Sequence, residues 1–184
     1  MDWKNIDGWF SIDDYEFYKS LIEKSKDATL VEVGSWQGRS ICSILPTLEK
    51  QNYSKVYCVD IWSEEPPGSQ YARRGNPNIQ KIFLENIESI GLSDMVTPMK
   101  MKSVDAAKKF DDESIDIVFI DADHSYEGVM EDIKAWLPKV KVGGIIAGHD
   151  YMEWGVFNAV TESLGIKNIF TGGACWAFTK VNNC

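Results

Sequence analysis

The sequence predicts an α/β fold: a doubly wound, mostly parallel sheet of seven strands, with helices on both faces and an antiparallel hairpin at its C-terminal end. Three observations predict it. Short apolar runs alternate along the chain with stretches of helical period, the pattern of parallel strands joined by crossover helices. Ile115 to Ala147 reads as a buried strand, an amphipathic helix and a second buried strand in immediate succession. The closing IFTGGACWAFTK reads as two short strands around Gly172-Gly173, a hairpin.

Each element has a local cause. Ser11 is placed to cap an N-terminal helix, with Asp13 and Asp14 favourable in its first turn and Phe17, Tyr18, Leu21 and Ile22 on its inner face. Residues before Thr29 form a lid, a dimer arm or a covering helix. Thr29–Val33 is a short apolar strand ended by Gly34, and a helix follows from Gly38 to Glu49. Lys55–Val59 is the second strand, closed by Asp60. Residues 61–76 are polar, unperiodic and rich in Pro and Gly, a long loop of the kind that serves as a lid. Asn76-Pro77 opens a helix lined by Ile79, Ile82, Phe83, Ile87 and Ile90 and stopped by Gly91. Val96–Met99 is a weaker strand, after which Ser103 caps a short helix reaching Phe110. Ile115–Ile120 is the fourth strand. Tyr126, Val129, Met130, Ile133, Trp136 and Leu137 then form the stripe of a helix packed on a sheet. Gly144–Ala147 is the fifth strand, and Val156–Leu164 a helix with Phe157 and Val160 inward.

A chain of 184 residues is long enough to bury a core in one domain, and 44% hydrophobic with 26% charged residues is a globular composition. The formal net charge of -9 repels phosphate backbones and argues against nucleic acid as a partner. No basic segment with an apolar run opens the chain, and no stretch approaches the roughly 18 apolar residues of a membrane span. Cys42, Cys58, Cys175 and Cys184 form no CxxC pair and read as small core residues of a reducing compartment. A cytoplasmic domain that engages neither membrane nor nucleic acid is expected, with its oligomeric state open to a homo-oligomer.

The chemistry gathers at strand ends, where ligands sit in open parallel sheets. VEVGSWQGRS places Gly34 and Gly38 in the first strand-to-helix turn, where free backbone N–H groups face a ligand. Asp60, ending the second strand, is placed to accept hydrogen bonds from a ribose diol, and Ser103 stands at the next strand end. These features suggest an adenosine-containing ligand without separating NAD from S-adenosylmethionine. Asp121, Asp123 and His124 end the fourth strand, and His149 and Asp150 end the fifth. The chain has only two histidines, and both fall at these adjacent ends.

Taken together, VEVGSWQGRS, VYCVDIW, MKSVDAA and the segment from Ile115 to Tyr151 resemble the class I S-adenosylmethionine-dependent methyltransferases, with their Rossmann-like fold. Within that class the chain looks most like the metal-dependent small-molecule O-methyltransferases of the catechol and macrolide-sugar type. The resemblance runs from about Thr29 to the C-terminus. It implies that Glu32, Gly34, Ser35 and Gly38 contact the methionine end of S-adenosylmethionine, that Asp60 holds the ribose, and that Ile61 and Ser103 lie near the adenine. It also implies that Asp121, His149 and Asp150 are metal ligands, with Asp121 beside the cofactor as well, and that His124 is the catalytic base. The family carries Asp or Glu where this chain has His149. Magnesium or manganese is therefore the expected ion, or a softer one if His149 is a ligand.

Those residues support methyl transfer to a hydroxyl of a small-molecule acceptor, such as a sugar or glycoside. A divalent ion lowers the hydroxyl pKa and an imidazole takes its proton. Trp62 and Trp154 follow strand ends facing the site and could stack on a sugar ring, and Arg73 and Arg74 in the long loop could hold an anionic acceptor. Two other readings stay open at this level. One is a nicotinamide-dependent oxidoreductase, against which stands the G-x-x-x-G in place of G-x-G-x-x-G. The other is a non-catalytic binding or scaffold protein on a cofactor fold.

Overall fold

Seven strands line up in the order β3-β2-β1-β4-β5-β7-β6. The structure is a computed structural model that describes residues 2–53, 55–62 and 78–182. The strands are β1 (Thr29–Val33), β2 (Lys55–Asp60), β3 (Val96–Lys100), β4 (Ile115–Ile120), β5 (Val140–Gly148), β6 (Ile169–Gly172) and β7 (Cys175–Thr179). The first five pair in parallel, and β7 runs antiparallel between β5 and β6. The chain works outward from β1 to β3 and restarts at β4 on the other side of β1. The β1–β4 boundary is thus the switch point of the sheet, where a ligand crevice is expected.

Among the described residues, six α-helices cover the two faces: α1 (Ile12–Ile22), α2 (Arg39–Lys50), α3 (Ile79–Ile90), α4 (Ser103–Ala107), α5 (Tyr126–Trp136) and α6 (Trp154–Leu164). Side chains alternate across a strand, so Leu30 of β1 joins Leu21, Leu45, Phe83 and Phe119 on one face. Val31, its neighbour, joins Val118, Ile133, Trp136 and Val160 on the other. Both layers are buried, and each fully buried aliphatic side chain contributes about 2 kcal/mol.

The helix ends follow from the sequence. Ser11 and Asp14 form a reciprocal capping box at the start of α1. Asn78 caps α3, which ends at Gly91 as expected, whereas the Asn76-Pro77 opening expected for it lies outside the described residues. The N-terminal segment covers the domain: α1 packs on α2 and on the terminal hairpin. The Arg39 guanidinium donates to the carbonyls of Lys4 and Phe10, each at 2.9 Å, and of Ile6.

Several expectations are corrected. Ser103 is the first residue of α4 and makes no cap; its hydroxyl is engaged by α5 instead. Phe157 turns outward, while Val156, Ala159, Val160 and Leu164 form the inner face of α6. Strand β5 starts at Val140, four residues earlier than expected, through a register shift between its pairings with Ile115 and Ile117. Most of the loop at 61–76, including Arg73 and Arg74, and also Cys184, lie outside the described residues. Cys42, Cys58 and Cys175 are free and buried. No helix among the described residues is long and apolar enough to cross a membrane.

Candidate functional site

The carboxyl ends of β1, β2, β4 and β5 open into a cleft of about 910 Å³. It is lined by Gly34, Ser35, Asp60, Ile61, Ser103, Asp121, His124, His149 and Asp150. The sheet topology therefore brings together nine of the eleven residues singled out in the sequence. Glu32 and Gly38 stand behind the cleft wall.

The first half of the cleft is built on the turn after β1. Gly34 adopts φ +87°, and a Cβ there would stand 1.9 Å from the Asp121 carbonyl oxygen. Its own N–H donates to Val59 O at 2.8 Å, while Asp121 N–H donates to Val33 O at 2.7 Å, so one residue without a side chain lets three strand ends close. Gly38, at φ +84°, is the N-cap of α2 and faces the Phe83 ring. Asp60 is fixed by two backbone amides, Trp36 N–H on Oδ2 at 2.9 Å and Trp62 N–H on Oδ1 at 2.7 Å. Burial raises the Asp60 carboxyl, and those amides oppose the rise. Trp36, Trp62 and Asp150 all hold positive φ, at 42°, 38° and 55°, on the cleft wall.

Beneath the turn, Glu32 is fully buried with neither carboxylate oxygen hydrogen-bonded, and the Ser35 hydroxyl is likewise without a partner. Burial pushes Glu32 up to about 8; the nearby Ser35 and Ser40 hydroxyls counter this, and the charges of Asp121 and Asp60 add to it. An unpartnered acid and hydroxyl under a glycine turn fit a ligand that brings an ammonium and a carboxylate, as the methionine end of S-adenosylmethionine does.

The second half alternates acids and imidazoles. His124 Nε2 lies 3.2 Å from Asp150 Oδ2 and 3.7 Å from Asp121 Oδ1. His149 Nδ1 lies 3.2 Å from the same Asp150 oxygen and 3.9 Å from Asp121 Oδ1, and its Nε2 is 3.3 Å from Asp14 Oδ2, without hydrogen-bond alignment. His149 is buried against the Phe10 ring, whereas His124 is about half exposed. The Asp121 carboxylate raises the pKa of His124, against burial and with help from Asp150. Burial works to lower that of His149, but Asp14 and Asp150 prevail and carry it to about 10. His149 is thus an imidazolium at neutral pH with an acid at each nitrogen. Asp123 accepts from Ser125 N–H at 2.8 Å and helps to start α5.

Asp121, His124 and Asp150 each offer a ligand atom within 4.8 Å of the others, a mixed nitrogen and oxygen set that fits manganese or zinc better than magnesium. Asp14, His149 and Cys175 are equally close, but Asp14 already accepts from Ser11 N–H, Ser11 Oγ–H and Ala174 N–H, and burial raises the Cys175 thiol.

Sequence reasoning missed Asp14, since its place in a capping box accounts for it locally. It also missed Asp132, which lines the cleft from α5, whereas Trp9, one of the N-terminal and loop tryptophans that could wall a pocket, does line it and stacks on Trp36 with ring centroids 5.3 Å apart. Trp62 is buried, donating Nε1–H to Trp36 O at 2.8 Å, and still lines the cleft. Trp154 begins α6, 77% exposed, and is not part of the lining.

A family model described as a methyltransferase domain matches residues 31–151, from β1 through both acid-bearing strand ends. The chain belongs to that family. The methyltransferase domain superposes on the O-methyltransferase NovP with a TM-score of 0.71 at 18% identity, over 91% of this chain and 79% of that one. It superposes on CalS11, a TDP-rhamnose 3'-O-methyltransferase of calicheamicin biosynthesis, with a TM-score of 0.63 at 14% identity, over 90% and 78%. At such identities the likeness concerns the fold. An uncharacterised protein of Acanthamoeba polyphaga mimivirus is 25% identical over 128 residues, 70% of this chain and 53% of its own length. An uncharacterised protein of Sinorhizobium fredii matches over only 14% of its length, so the chain spans about half or less of the curated relatives it matches.

Proposed function

We propose that this methyltransferase domain transfers the methyl group of S-adenosylmethionine to a hydroxyl of a small acceptor, with a sugar or glycoside as the favoured class. One observation carries the reading. A half-exposed imidazole, His124, is held between two carboxylates in the same cleft as a ribose-type acid, Asp60, whose orientation two backbone amides fix.

When bound, S-adenosylmethionine supplies an electrophilic methyl group on a sulfonium. Asp60 keeps lone pairs for the ribose hydroxyls, and Glu32 and Ser35 answer the amino-acid end. His124 Nε2 accepts the acceptor's hydroxyl proton, and Asp121 and Asp150 stabilise the imidazolium that results. A cation held by Asp121, His124 and Asp150 would instead supply Lewis acidity to the acceptor oxygen. His149 faces Asp14 and Asp150 as ion-pair partners, and would become a ligand only after losing a proton.

The sugar class is supported by the aromatic pair Trp9–Trp36 at the cleft mouth and by the named substrate of CalS11. Thermal unfolding with S-adenosylhomocysteine or NAD tests the cofactor. A ligand at about 100 times its dissociation constant adds roughly 2.7 kcal/mol, or about 5–11 °C here. A shift with S-adenosylhomocysteine alone is expected, and a shift with NAD alone overturns the reading. Mass-spectrometric detection of methylated product from a panel of sugar nucleotides and glycosides then tests the acceptor.

A further inference from the structure

The corner of the cleft beyond Asp60 is walled by Ile61, by Met101 to Val104, and by Gly128, Glu131 and Asp132 of α5. Two of these side chains, Ser103 and Asp132, together with Trp136 behind them, are tied in a fixed direction. The Trp136 indole is fully buried, and its single N–H donates to Ser103 Oγ at 2.8 Å. Ser103 in turn donates its only hydroxyl proton to Asp132 Oδ1. Ser103 therefore has no proton left to give a ligand and at most one lone pair. Asp132 is 5% exposed, and its other oxygen, Oδ2, takes no hydrogen bond among the described residues.

A carboxylate oriented by a serine, with one oxygen unengaged at the wall of a ligand cleft, offers an acceptor to a ligand's donor. Burial pushes the Asp132 carboxyl up to about 6, opposed by Ser103 and aided by Glu131 and Asp123, which leaves it ionised and an acceptor at mildly alkaline pH. If the ribose lies on Asp60, the base attached to it enters this corner. We propose that Asp132 is the residue that selects the base of the cofactor, accepting a hydrogen bond from the exocyclic 6-amino group of adenine. Trp136 and Ser103 are the positioning residues that aim it. The inference rests on the adenosyl reading given above. It assigns base recognition to α5, with Ser103, the residue expected near the adenine, acting one step removed.

A purine carrying oxygen at position 6 presents an acceptor where adenine presents a donor and leaves Asp132 facing a lone pair. Titration calorimetry at pH 8 with S-adenosylhomocysteine and with S-inosylhomocysteine, its 6-oxo counterpart, reads this directly. The native chain is expected to prefer the adenosyl form by about 30-fold or more. Asp132→Asn, nearly isosteric, can turn its amide N–H toward the 6-oxo group, and is expected to bring the two affinities within about threefold. Ser103→Ala leaves the carboxylate in place and is expected to weaken binding of both while keeping the preference for adenine. A merely structural role would weaken both ligands equally in every variant.

A preference unchanged in Asp132→Asn overturns the assignment, as does a preference lost in Ser103→Ala but kept in Asp132→Asn. Failure of both compounds to bind the native chain overturns the adenosyl reading itself and this inference with it. Binding of both with an unmoved ratio overturns the inference alone.

Discussion

Asp14 and His149 face each other at 3.3 Å, joining the first turn of the N-terminal helix to the end of the fifth strand. Both are buried, and each has further partners: Asp14 accepts from Ser11 and Ala174, and His149 points its other nitrogen at Asp150. Burial pushes the Asp14 carboxyl up, but His149, Ser11 and Ala174 together hold it well below the usual carboxylate range. Removing one member leaves the other charged and uncompensated, which in a buried pair is destabilising by about 3–5 kcal/mol. Asp14→Asn should therefore lower the unfolding free energy by about 3 kcal/mol, and Asp14→Asn with His149→Gln by clearly less than the sum of the single changes. A denaturant-melt double-mutant cycle measures the coupling, and additive effects would show that the pair is not one.

His124→Ala should reduce turnover by about 10²- to 10⁴-fold while leaving the affinity for S-adenosylhomocysteine within twofold, since the imidazole contributes proton transfer and not cofactor contact. Methyl-transfer rates on an identified acceptor, paired with calorimetry, check both halves. Unchanged turnover would remove His124 from the mechanism.

The Cβ that Gly34→Ala introduces lands 1.9 Å from a backbone oxygen at a φ of +87°, so neither contact nor conformation is tolerated. The variant should lose more than about 3 kcal/mol or fail to accumulate as folded protein. Circular dichroism and a melt decide it; a variant as stable as the native chain would mean that β1 and β4 do not close as described.

Glu32 gives a pH signature. Its folded pKa of about 8 lies above the ordinary carboxyl value of 4.5, so the folded state holds a proton that the unfolded chain releases. The chain is then most stable with respect to this group below about pH 4.5, and loses stability as pH rises toward 8. Glu32→Gln should raise the melting temperature at pH 8, flatten its fall between pH 5.5 and 8, and weaken binding of S-adenosylhomocysteine. A melting temperature whose pH slope is the same in both proteins would refute the buried neutral acid.

For the cation, manganese or zinc should raise the melting temperature by more than magnesium does, because nitrogen is among the donors, and Asp150→Asn should cancel the gain. Equal or absent shifts with all three ions would leave the cleft with its own charges alone.

Much of this molecule could be read from the chain because its causes are local. Thr29–Val33 and Ile115–Ile120 are mostly apolar, with Glu32 and Asp116 as their acids, and are largely buried; both strands fall at those residues. The strand ends carry the chemistry wherever helices alternate with strands, so Asp60, Asp121, His124, His149 and Asp150 converge without any long-range knowledge. What stayed hidden depends on partners far away in sequence. Ser103 has the look of a cap, yet Asp132 and Trp136 outbid the backbone for its hydroxyl. Asp14 is fully explained by Ser11 until the hairpin and β5 fold over it. Phe157 follows the helical stripe of its neighbours but falls just past the edge of the buried face, which Ala159 fills more closely.

Trp36, Trp62 and Asp150 hold left-handed backbone at the wall of the cleft, a conformation that Asp adopts readily and side chains as bulky as tryptophan avoid. The fold around the two tryptophans, and not their own preference, sets those turns. The pocket's outline is consequently cast before any ligand arrives. Residues at its mouth, such as Trp9, can drift over generations and retarget the domain to new acceptors while the mould itself stays the same.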